Sequence, residues 1–119
     1  MNLAVADSGP VQYLVLCEAI GVVPQLYGRL VIPSAVAREL SHLQTPPEVK
    51  SWIKALPRWA TIEFPKGIEP PARLGLGERE AIALAYELKA TQLLVDDRAA
   101  RRIAVERGLA ITGTIGILE

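Results

Sequence analysis

The chain has one cysteine, one histidine and no net charge, and each scarcity closes off a class of function. Cys17 alone forms no internal disulfide and no cysteine-rich zinc site. Within the apolar stretch VQYLVLCEAI it is expected to be a small buried thiol, which suits a reducing, cytoplasmic compartment. His42 alone rules out a histidine-rich zinc site, and no Ser–His or Cys–His pairing for nucleophilic catalysis is seen in the sequence. Thirteen basic residues cancel 13 acidic ones. That balance argues against nucleic-acid binding through overwhelming positive charge, while leaving room for a local basic patch. The N-terminus lacks the positive start of a secretory signal. Charges at Asp7, Glu18, Arg29 and Arg38 punctuate the first third, whereas a transmembrane helix needs about 20 apolar residues, so no membrane span is expected.

What is present is the composition of one globular domain over residues 1–119, with 50% hydrophobic and 22% charged residues. A chain of this length buries roughly two-thirds of its unfolded surface. Leu3–Ala6 reads as a short buried strand, and Pro10 suits the first turn of a helix that runs through VQYLVLCEAI to Gly21. A turn containing Pro24 leads to a second strand, RLVIP, and then to a helix, SAVARELSHL, with Val36, Leu40 and Leu43 at helical spacing. EVKSWIKALP forms a further helix with Val49, Trp52, Ile53 and Leu56 on one face. Ala60–Phe64 is a third strand. The proline- and glycine-rich stretch from Pro65 to Gly77 is expected to be a mobile loop. From Glu78 a helix follows, apolar nearly all round from Ala81 to Ala85 and therefore buried. QLLV is a strand, DRAARRIAVERG a helix, and LAIT a last strand. Continuously apolar strands alternating with helices belong to a parallel sheet covered on both faces. The fold class is α/β, a three-layer α/β/α sandwich around a central, mostly parallel sheet.

Two of these strands end on carboxylates. MNLAVADSGP puts Asp7 directly after the first, and QLLVDDRAARR puts Asp96 and Asp97 after the fourth. In an open parallel sheet the ligand site lies beyond the carboxyl ends of the strands, where strand order reverses. Glu39, in the helix after the second strand, and Glu78, opening the buried helix with Glu80 close behind, are further candidates. Each acid taken singly is as readily a helix cap or a solvated charge as a ligand. Gathered at one edge of the sheet, they repel one another unless a cation sits among them. An oxygen-only set suits Mg²⁺ or Mn²⁺.

DSGPVQYL from Asp7, GRLVIPSAVAREL from Gly28, LGLGEREAIALA from Leu74, and LLVDDRAARRIAVERGLAITGTIGIL to the end together resemble the PIN-domain family. That is the fold of VapC-type toxin ribonucleases, and the likeness is greatest to a mostly uncharacterised branch of predicted nucleic-acid-binding PIN proteins. The four motifs cover nearly the whole chain in order. The resemblance implies a metal-dependent endoribonuclease with catalytic acids at Asp7, Glu39, Glu78 and Asp96. Metal ligation falls to Asp7, Glu78, Asp96 and Asp97; Asp97 is the alternative for the fourth place and Glu80 for the third, and Ser8 supports the first aspartate. The metal would activate a water and stabilise charge on the scissile phosphate. Arg98, Arg101 and Arg102 would contact RNA phosphates, unless they are plain helix-surface charges. By analogy the protein would be a homodimer, and the toxin of a toxin–antitoxin pair with an antitoxin as partner.

There are departures from the toxin pattern. The first corner is Asp-Ser-Gly-Pro where toxins usually have Asp-Thr/Ser-Ser, and the third acid is a glutamate where many use aspartate. Family members continue past TGTIGIL with one or two helices, so the expected fold lacks the last of them. These departures sustain the alternative of a non-catalytic PIN scaffold that binds RNA or a protein. Phospho-transfer folds fit poorly. A haloacid-dehalogenase site needs a second aspartate where Gly9 stands, and a receiver needs a late lysine although none follows Lys89.

Overall fold

A computed structural model describes residues 2–67 and 74–118. Among these residues the chain forms five strands and seven helices. In order they are β1 (Ala4–Ala6), α1 (Ser8–Leu16), α2 (Val22–Tyr27), β2 (Leu30–Pro33), α3 (Ser34–Leu40), α4 (Pro47–Lys54), β3 (Ala60–Glu63), α5 (Leu76–Leu88), β4 (Gln92–Leu94), α6 (Arg98–Glu106), β5 (Ile111–Thr112) and α7 (Thr114–Leu118). The strands make one all-parallel sheet in the order β3-β2-β1-β4-β5. The α/β reading therefore holds.

Alternation along the strands divides the core into two layers. Ala4, Ala6, Leu30, Ile32 and Leu94 face one side, where they pack with Val11 and Leu14 of α1, Val36 and Leu40 of α3, and Val49 and Ile53 of α4. Val5, Val31, Leu93 and Val95 face the other, against Ala81, Ile82, Leu84 and Ala85 of α5 and Ala100, Ile103 and Ala104 of α6. Because both faces of the sheet are covered, its central strands can be apolar at every position. Ala81–Ala85 is buried throughout, as the all-round apolar pattern required.

Several local expectations need correction. α1 ends at Leu16, and Glu18 then adopts a left-handed backbone (φ 57°). This puts Cys17 in an exposed turn instead of a buried helical face. Pro24 lies inside α2, a helix where a turn was expected. It is the third residue, where a missing N–H breaks no intrahelical bond. α3 stops at Leu40, which leaves Leu43 88% exposed. The expected mobile loop is shorter than residues 65–77: α5 already begins at Leu76, and Leu74 is buried in the core. Residues 68–73 of that stretch lie outside the described residues.

The topology places the site. The chain moves outward from β1 through β2 to β3, then returns to the other side of β1 for β4 and β5. Strand order thus reverses between β1 and β4, whose residues pair as Ala4–Gln92, Val5–Leu93 and Ala6–Leu94. Asp7 follows the end of one of these strands, and Val95-Asp96-Asp97 the end of the other.

Candidate metal and catalytic site

Asp7 is the anchor. Its backbone N–H donates to Leu94 O at 3.0 Å, tying the β1 corner to the end of β4. It occupies the N-cap position of α1, but its side chain makes no capping hydrogen bond. The residue is only 7% exposed. Burial raises its carboxyl from the ordinary 3.8 to about 6, with the nearby charges of Glu78, Glu39 and Asp97 adding to the effect and the backbone N–H of Ser8 opposing it. A buried carboxylate that does no capping has a weak structural excuse.

The other acids come from three helices. Glu78 lies in the first turn of α5, where its Oε1 accepts from Gly75 N at 3.0 Å. Its carboxyl is also raised, first by burial and then by Asp97, which lies close enough for a side-chain hydrogen bond, and by Glu39. Asp97 caps α6 through Oδ2, which accepts from Ala100 N at 2.9 Å. Glu39 reaches across from α3 to Gly77, where its Oε1 and a Cβ would compete for the same space. In this arrangement the Glu39 carboxylate occupies the space that a side chain at 77 would take. Asp7, Glu39, Glu78 and Asp97 thus form one electrostatically coupled group.

Asp96 and Glu80 are turned to other tasks. Asp96 accepts from Thr114 twice, from the backbone N–H at 2.8 Å and from the hydroxyl at 2.6 Å. It remains beside the Asp7 corner, with Oδ2 3.7 Å from where a Cβ on Gly9 would stand. Glu80 points to α3, accepting from Ser34 Oγ at 2.8 Å and from Ala35 N at 2.9 Å. Ser8 contributes its backbone N–H to the surroundings of Asp7. Among the arginines, Arg101 donates from its guanidinium to Val95 O at 2.9 Å, whereas Arg98 and Arg102 are exposed. Sequence reasoning missed Thr114 and Gly77. The TGT run after the last strand and the glycine directly before Glu78 were the available signals.

Among the described residues no three His, Cys, Asp or Glu side chains stand as a ready-made ion site. The chemistry of the donor set nevertheless fits a hard divalent cation. It is all oxygen, and two of its carboxyls are raised, chiefly by burial and further by the neighbouring acids. A cation among them would remove that penalty.

Comparison with known proteins bears on the family and the fold. The chain resembles in fold a PilT N-terminus domain protein from the hyperthermophilic archaeon Sulfolobus solfataricus P2, with a TM-score of 0.70 and 18% identity over 98% of this chain and 90% of that one. A search of curated proteins found no match. No helix among the described residues is long and apolar enough to cross a membrane. PIN domains are generally nucleases, so the scaffold is nuclease-like. Residues 3–119 match the family DUF3368, described as a PIN domain, and with carboxylates gathered where its parallel sheet reverses order, this chain belongs to the PIN-domain family.

Proposed function

We infer that the protein is an endoribonuclease dependent on Mg²⁺ or Mn²⁺. One observation carries the reading: Asp7 is buried at the switch point without a capping bond and coupled to Glu39, Glu78 and Asp97. Asp7, Glu78 and Asp97 would hold the metal, with Glu39 beside them and Asp96 as a ligand or as the brace of this corner. A metal held by these residues would supply an activated water and charge stabilisation at the scissile phosphate. The side chains keep the site anionic and orient it. Burial beneath the α1 corner limits competing water at Asp7. Arg98 and Arg102, exposed on α6 just after Asp97, would meet RNA phosphates in this reading. A homodimer and an inhibitory antitoxin belong to the same reading.

The test is cleavage of a single-stranded RNA by the purified protein with Mn²⁺, with EDTA, and by the Asp7→Asn variant. Cutting that needs both the metal and Asp7 supports the reading. A second reading, a PIN scaffold that binds RNA without cutting, draws on the hydrogen bonds already claimed by Asp96, Asp97 and Glu80. RNA binding with no cleavage under any metal would favour it.

A further inference from the structure

We propose that Glu80 is a positioning residue: it latches α3 against α5 and thereby sets Glu39 in the acidic group, without itself binding metal. The inference rests on the metal-site reading above and assigns Glu80 a part within it. Glu80 and Gly77 are three residues apart and share one face of α5, while Ala35 and Glu39 are four apart and share one face of α3. The two faces meet at two points. Glu80 Oε1 takes hydrogen bonds from Ser34 Oγ (2.8 Å) and Ala35 N (2.9 Å), and the Glu39 carboxylate occupies the gap over Gly77. α3 has only seven residues, and the hydrogen bonds at its other end are local, from Ser41 Oγ to Ala37 O and from Thr45 Oγ1 to Glu39 O. A shift at Ser34 therefore carries to Glu39 about a turn away. With Oε1 taken by two donors on α3, that oxygen of Glu80 is committed to the contact between the helices.

A glutamine at 80 keeps an acceptor oxygen of the same reach but loses the charge, so it separates a latch from a ligand. Mn²⁺ dissociation constants would be measured for the wild type and for Glu80→Gln, Glu80→Ala, Ser34→Ala and Glu78→Gln, with exchange of the Ala35 amide followed by NMR in the same set. The expected result is that Glu80→Gln binds Mn²⁺ within about threefold of wild type, while Glu80→Ala is weakened about tenfold or more, as for loss of an outer-shell partner. Ser34→Ala, a milder change that keeps the Ala35 bond, should fall between them, and Glu78→Gln should lose binding. Ala35 should exchange faster only in Glu80→Ala. If Glu80→Gln binds as poorly as Glu78→Gln, Glu80 is a ligand and the proposal is overturned. Unchanged affinity and unchanged exchange in Glu80→Ala would overturn it as well. If the wild type binds no Mn²⁺, the metal-site reading fails, and the latch is then decided by Ala35 exchange in Glu80→Ala alone.

Discussion

Replacing Asp7 with asparagine should make the metal-free protein more stable. Asp7 has its carboxyl raised from 3.8 to about 6, mainly by burial and further by Glu78, Glu39 and Asp97. At about 1.4 kcal/mol per pH unit, keeping it ionised in the folded state costs about 3 kcal/mol above pH 6. The sign follows from proton counting. Between about pH 4 and 6 the folded protein holds a proton on Asp7 that the unfolded chain has lost, so stability falls as pH rises through that window and levels off above it. Glu78 is raised too and contributes in the same direction. Asparagine removes the charge at almost unchanged volume, so Asp7→Asn should gain about 1–3 kcal/mol at pH 8 in EDTA. At roughly 3–6 °C per kcal/mol for a chain of this size, the gain is readily seen in thermal unfolding. Saturating Mn²⁺ should narrow or reverse the order. A cation at 100 times its Kd adds about 2.7 kcal/mol to the protein that binds it, and the variant should not respond. An Asp7→Asn variant that melts below wild type in EDTA at pH 8, in a wild type whose stability does not fall between pH 4 and 6, would refute the argument that this carboxylate is held at a cost.

Five other substitutions probe the neighbourhood. Gly77 is buried in the first turn of α5, and Gly77→Ala should displace Glu39 and weaken Mn²⁺ binding, because a Cβ there meets Glu39 and comes within 3.2 Å of Val36 Cγ2; calorimetric titration checks this. Thr114→Val removes the 2.6 Å hydroxyl bond to Asp96 from a buried position and should cost about 1–2 kcal/mol in urea unfolding. Arg98→Ala and Arg102→Ala should raise KM for RNA with little change in stability, whereas Arg101→Ala should lower stability through the lost bond to Val95 O. Steady-state cleavage and thermal unfolding of the three variants separate these effects.

The sheet and the place of the site were legible because both depend on patterns along the chain. Leu3–Ala6 and Leu93–Val95 are apolar at every position, which implies strands covered on both sides. Each run ends on aspartate, which puts carboxylates at a strand terminus whatever the strand order. Which acid faces the cleft was harder to read. Residues two apart on a helix do not share a face. Glu78 and Glu80 therefore cannot serve one point, and that spacing was itself a usable signal, though it does not say which of the two turns to α3. Asp96 and Asp97 divide for a different reason. Asp97 is at the N-cap of α6, and Asp96 meets Thr114, a partner 18 residues later that only the closed fold brings near. Cys17 and Leu43 were misread through helix length: the apolar periodicity runs on past Leu16 and Leu40, but the backbone does not. α2 escaped because Pro24 signals a turn equally well.

The central claim is that acids from the ends of β1 and β4 and from the start of α5 make one divalent-cation site. Direct titration of Mn²⁺ into wild type, Asp7→Asn, Glu78→Gln and Asp97→Asn tests it most plainly. Saturable binding by the wild type, lost or severely weakened in all three variants while each remains folded, is the predicted result. A wild type that binds no Mn²⁺, or three variants that bind it as well as the wild type does, would contradict the account.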